Sequence, residues 1–234
     1  MPSKVISMVT RKGGTGKTTC ARLFGAVANS RGYPVAFIDT DESCALVEWA
    51  KVGRDNGLWS DDVDVIETMD DQVLLDAVMR LKDEATESVC IIDMQGSSSE
   101  LMGMVFEVSD ILIVPTRPSR SDIAEVEKIL AFIEAYRKQG GQVPHPKVLL
   151  NVPERLTASQ GRLFEECYDM FGTAVMEEFL LTRSSYNEMD SQGLLNVMAQ
   201  KGMPGQRKNY ASSLELAAEI FDEATGGELG GKTS

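Results

Sequence analysis

The chain is short of positive charge. Its 23 lysines and arginines stand against 36 aspartates and glutamates, a formal net charge of −13. Such a balance excludes a bulk polyanion binder, so any contact with nucleic acid must use a local basic patch or a basic partner. Cysteine is scarce as well. Cys20, Cys44, Cys90 and Cys167 are scattered without C-x-x-C spacing, which argues against a zinc or iron–sulfur site and suits small buried hydrophobes in a reducing compartment. Missing too is an apolar stretch long enough to span a bilayer, and the first apolar run comes too soon for a signal peptide. A cytoplasmic protein is therefore expected, with no membrane partner and nucleoid association left open. What remains is ordinary for a globular chain: 234 residues, 43% hydrophobic and 25% charged, enough for one α/β domain.

Short apolar runs alternate with amphipathic segments along the whole length. Runs at 5–9, 35–38, 63–66, 89–92, 111–114 and 148–150 read as strands, and 174–181 as the last one. Continuous Val/Ile/Leu runs fit strands covered on both faces. Helical spacing marks 42–54, 70–84, 100–108, 121–136, 159–171, 194–200 and 210–224, with Asp70 or Asp71 as N-cap of the second. Alternation of this kind predicts an α/β, doubly wound, mainly parallel sheet with helices on both faces. There is no repeat and no break in composition, so one domain is expected over 1–225. The glycine-rich end at 226–234 reads as a flexible tail.

Residues 11–19 read R-K-G-G-T-G-K-T-T. They follow the first apolar run and open a helical segment, which is the strand–turn–helix context of a phosphate-binding loop. Gly13, Gly14 and Gly16 let the backbone around Thr15 aim its N–H groups at phosphate oxygens, and the helix dipole adds to the same spot. In that motif Lys17 reaches the β- and γ-phosphates and Thr18, followed by Thr19, supplies a hydroxyl to Mg²⁺. ATP and Mg²⁺ are the expected cofactors.

Ligand sites of parallel sheets lie at the carboxyl ends of the strands, and two of those ends are acidic. The second strand runs into Asp39-Thr40-Asp41-Glu42, and the fourth ends in Asp93 after four apolar residues. A carboxylate at the latter position holds Mg²⁺ through water in P-loop enzymes. Met94, Met102 and Met104 nearby suit a core or a subunit contact.

The second lysine of the loop, Lys12, departs from the general pattern. With the intact G-K-T-T it resembles the ParA/MinD family of deviant Walker A ATPases, whose P-loop NTPase fold would cover nearly the whole chain. The resemblance implies that Lys12 reaches across to a partner subunit's nucleotide, so ATP binding would drive a homodimer and hydrolysis would release it. It further implies Asp41 as the hydrolytic residue, Asp39 near the Mg²⁺ sphere and Gly96 as a γ-phosphate switch. Asn151 becomes a candidate partner for adenine, although a loop asparagine serving its own turn reads the same way. The chain starts directly at the loop-bearing strand, as in the small plasmid-partition members that leave specific DNA recognition to an adaptor, ParB-like or a small centromere-binding protein. Segments at 96–101, 109–122 and 155–160 are similar to VirC-type accessory ATPases of T-DNA transfer. Arg183, Lys201, Arg207 and Lys208 are candidates for a local non-specific DNA patch, or simply surface cations. A MinD-like membrane helix is disfavoured, since 213–223 carries Glu215, Glu219, Asp222 and Glu223 without a lysine or arginine.

Overall fold

The computed structural model describes residues 3–41, 43–94 and 99–231. Among them strands and helices alternate: β1 (Lys4–Met8), α1 (Lys17–Ser30), β2 (Val35–Asp39), α2 (Ala45–Asp55), β3 (Val63–Glu67), α3 (Asp71–Asp83), β4 (Val89–Asp93), α4 (Ser99–Val108), β5 (Ile111–Thr116), α5 (Arg120–Lys138), β6 (Pro146–Val152), α6 (Ala158–Phe171), β7 (Leu180–Leu181), α7 (Ser184–Gln192), α8 (Leu195–Lys201) and α9 (Arg207–Thr225). The described strands make one seven-stranded sheet in the order β3-β2-β4-β1-β5-β6-β7, each pairing parallel. This is the doubly wound α/β arrangement that the alternation predicts.

The apolar runs are continuous because both faces of the sheet are covered. Along β1, Ile6 and Met8 join a core with α1 and α9, while Val5 and Val9 join another with α3, α4, α5 and α6. Along β4 the same alternation sends Val89 and Ile91 one way and Cys90 and Ile92 the other, as a period of two requires. Phe24 meets Phe221 edge to face at 5.3 Å across the first core. Helices α3, α5 and α6 begin where side chains satisfy free N–H groups. Asp70 accepts from the Gln72 and Val73 amides, Ser119 accepts from the Asp122 amide, and Thr157 and Gln160 form a capping box.

Four expectations change. The last strand is Leu180–Leu181 plus a single bridge between Val148 and Val175. A 3₁₀ turn occupies Gly172–Ala174, and the Glu177 and Glu178 amides donate to the Glu223 carboxylate instead of to β6. Second, α2 starts at Ala45 and not at 42, because Cys44 stands in the left-handed region at φ 51°. Third, 184–192 is helical although its polar sequence gives no apolar stripe. Last, the expected tail is held against the domain as far as Gly230. Leu229 is buried in the first core, Arg31 donates to its carbonyl at 2.8 Å, Tyr33 donates to the Gly230 carbonyl at 2.9 Å, and Lys4 pairs with Glu228 at 2.7 Å.

Candidate functional site

Residues 9–16 connect β1 to α1 at the carboxyl edge of the sheet, where β1 lies between β4 and β5. The loop can be built only with glycine at its tightest points. Gly14 and Gly16 have φ of 74° and 104°, and a Cβ on Gly16 would stand 1.8 Å from the Asn151 amide nitrogen. Around Gly13 there is open space instead. Thr15 is buried, its hydroxyl without a hydrogen-bond partner among the described residues. A buried orphan hydroxyl beside glycines that keep the backbone bare suits a cradle for an oxygen-rich anion.

Parallel register brings the acidic strand ends together. Met8 is level with Asp93, and Asp93 is level with Asp39. Thr18 donates its hydroxyl to Asp93 Oδ2 at 2.6 Å, while Asp93 Oδ1 is buried without a partner among the described residues. Burial pushes the Asp93 carboxyl up to about 6, against the Thr18 hydrogen bond and the Lys17 charge, with nearby Asp39 adding to the rise. A hydroxyl and an underused carboxylate are donors that suit Mg²⁺, which binds one or two carboxylates and completes its shell with phosphate oxygens and water. No group of three or more His, Cys, Asp or Glu residues able to hold a metal is found among the described residues.

Asp39 is fully buried, and its two oxygens accept from the Asp41 amide at 3.0 Å and the Leu46 amide at 2.8 Å. It shapes the loop that carries Asp41. Asp41 in turn caps Ser43 at 2.8 Å. Lys17 folds back over the loop, donating to the Lys12 carbonyl at 3.3 Å. Burial lowers the pKa of its ammonium, opposed by the charges of Asp93 and Asp41.

Lys12 takes the opposite direction. Its ammonium donates to Ser121 Oγ at 2.6 Å and pairs with Asp122 on the first turn of α5. Two cations in one loop disfavour each other at close range, and the Asp122 carboxylate gives Lys12 a counter-ion within its own chain. Asp122 is only 1% exposed, and its other oxygen accepts from Arg117 Nε at 3.1 Å. Burial works to raise this carboxyl, yet the hydrogen bonds from Lys12 and Ser119 and the Arg117 charge hold it below the usual carboxylate range.

A cavity of about 530 Å³ opens beside the loop, lined among others by Gly14, Gly16, Thr19, Arg117, Asn151 and Tyr186. Asn151, expected at the adenine, faces this cavity but gives its amide to the Thr15 carbonyl at 3.0 Å. Arg183, expected in a DNA patch, also lines the cavity. Lys201, Arg207 and Lys208 stand exposed at the junction of α8 and α9. The Gly96 switch lies outside the described residues. Sequence reasoning missed Arg22, which is 6% exposed, lies over the Trp49 ring at 5.0 Å and donates to the Ala45 carbonyl at the start of α2. Nothing in the helical spacing marked it. Arg117 and Asp122 fall in the 109–122 segment similar to VirC-type ATPases, but nothing local marked their pairing with each other and with Lys12, although Ser119 and Asp122 carry a capping signal.

Among the described residues no helix is long and apolar enough to cross a membrane. The family model described as VirC1 protein matches residues 3–219. Protein virC1 of Rhizobium radiobacter is 28% identical over 220 residues, 92% of this chain and 93% of the relative. Protein ParA of Rhizobium radiobacter is 24% identical over 229 residues, 94% and 97% of the two chains. Among solved structures, a McdA–ATP complex from Cyanothece superposes with a TM-score of 0.69 at 17% identity, covering 96% of each chain. A pNOB8 ParA bound to nonspecific DNA superposes with a TM-score of 0.61 at 16% identity over 95% and 97%. With the loop, the paired strand ends and the doubly wound sheet, these matches place the chain in the VirC1 family, among the ParA-like P-loop ATPases.

Proposed function

We propose that the protein binds and hydrolyses ATP with Mg²⁺, dimerises on ATP, and uses that cycle to partition plasmid or chromosomal DNA together with a DNA-binding adaptor. The observation that carries the reading is the Thr18–Asp93 hydrogen bond at the foot of the glycine loop. Thr18 and Asp93, with Asp39 behind them, would hold Mg²⁺, which when bound would supply positive charge to offset that of the phosphates. The backbone from Gly13 to Thr19 cradles phosphates, and Lys17 reaches the terminal ones. Asp41 orients the attacking water, positioned by the two hydrogen bonds of Asp39. Lys12 leaves Asp122 to meet the partner subunit's nucleotide. Asn151 borders the base, and its bond to Thr15 fixes the loop meanwhile. Exposed Lys201, Arg207 and Lys208 supply a DNA patch that the net charge of −13 makes local.

A second reading shares this chemistry and differs in cargo: an accessory ATPase of conjugative DNA transfer. The match of the VirC1 model over residues 3–219 favours it. Single-turnover hydrolysis tests the common core. Wild type should hydrolyse bound ATP, and Asp41→Ala should bind ATP yet fail to hydrolyse it; equal rates would overturn the assignment of Asp41. Whether DNA or an adaptor then accelerates wild-type turnover separates a partition cycle from a nucleotide switch without DNA.

A further inference from the structure

Arg117 has no role in the nucleotide chemistry proposed above, yet it stands against the phosphate loop. Its Nη2 is 3.6 Å from where a Cβ on Gly14 would be, and it lines the same cavity as Gly14, Gly16 and Thr19. The loop after β5 puts it there, since β5 is the immediate neighbour of β1 in the sheet. Pro118 follows and restricts the backbone of Arg117 itself.

The surroundings give this cation one counter-ion that it must share. Asp122 takes Arg117 Nε on one oxygen and Lys12 on the other. Two cations around one carboxylate leave one positive charge in excess at the cavity mouth, within a chain whose net charge is −13. The Arg117 side chain is 48% exposed, so its guanidinium is not locked into the protein. A planar fork with donors to spare, half solvated and adjacent to bare loop backbone, matches the oxygens of a phosphate chain. A lysine in the same place would offer a point charge without that geometry.

We propose that Arg117 is a ligand of the nucleotide's phosphate chain, held ready beside the loop by Asp122. The inference rests on the reading of the loop as an ATP site. The guanidinium donates to phosphate oxygens of the nucleotide bound in its own chain, and Asp122 retains Arg117 or Lys12 until the nucleotide competes for them. Asp122 is thus a store of cations and opposes binding while it holds them.

The test is titration calorimetry with ATP on the full chain, for wild type, Arg117→Ala, Arg117→Lys and Asp122→Asn, with thermal melting of each nucleotide-free protein. Loss of a charge-assisted hydrogen-bonding group predicts that Arg117→Ala weakens ATP about tenfold to a hundredfold. Its melting temperature should stay close to that of wild type, because the pair it breaks is solvent-facing on the arginine side. Arg117→Lys should recover part of the loss. Asp122→Asn, which frees the cations, should bind ATP at least as tightly as wild type. Wild-type binding with unchanged affinity in Arg117→Ala would overturn the proposal, as would equal weakening in Asp122→Asn, which would mark the pair as merely structural. Failure of wild type itself to bind ATP would instead overturn the reading of the loop.

Discussion

Lys12 and Asp122 form an ion pair in which the carboxylate is buried at 1% exposure and the lysine side chain is 32% exposed. The pair ties the head of the phosphate loop to the first turn of α5, and Ser121 Oγ adds a hydrogen bond to the same ammonium. A lone chain therefore satisfies Lys12 without a nucleotide. If that lysine serves a partner's nucleotide, it must leave this pair first. Lys12→Ala should still bind ATP, since Lys17 and the loop backbone are untouched, but should lose ATP-dependent dimers in light scattering. Dimers retained with ATP would rule out the role across subunits.

Asp122 also gives a pH signature. Its carboxyl titrates below the usual range in the folded protein, and an unfolded aspartate titrates near ~3.9. A depressed folded pKa stabilises above the unfolded value and is lost as pH falls through the folded one. Asp122→Asn should therefore be less stable by about 1–2 kcal/mol near neutral pH, a modest figure because both cations face solvent. In urea titrations the deficit should narrow below about pH 4.

Cys44 holds a left-handed backbone at φ 51°. Such a conformation costs a residue with a Cβ roughly 1–2 kcal/mol, and glycine escapes the cost while losing more chain entropy. Its thiol gives up a hydrogen bond to Glu67 at 3.0 Å on an exposed surface. Cys44→Gly should raise stability by about 0.5–1 kcal/mol in thermal unfolding.

The packed chain end should matter to the fold. Leu229 is 1% exposed against the first core, so Leu229→Ala should cost about 2–4 kcal/mol in urea unfolding. A change near zero would return this segment to the tail that its glycines suggest.

Much of this was legible in the sequence for a physical reason. Strands covered on both faces are continuous apolar runs, so β1, β2, β4, β5 and β6 announced themselves, and Gly13 to Thr18 carry their chemistry in local spacing. Asp70 was readable as a cap because capping is local. What escaped depends on residues distant in the chain. Glu223 captures the amides of Glu177 and Glu178 and shortens β7. Arg31 and Tyr33 hold the carbonyls of Leu229 and Gly230. The pairing of Lys12 with Asp122 joins the loop after β1 to the first turn of α5, which no periodicity reports.

In the proposed function, Thr18 and Asp93, joined by a hydrogen bond, complete a Mg²⁺-nucleotide site at the loop. The most direct measurement is ATP affinity by titration calorimetry with Mg²⁺ and with EDTA, for wild type and Thr18→Ala. Mg²⁺ should tighten ATP binding at least about tenfold in wild type, and Thr18→Ala should lose most of this gain while keeping its Mg²⁺-free affinity. Binding indifferent to Mg²⁺ in wild type, or an equal Mg²⁺ gain in Thr18→Ala, would contradict it.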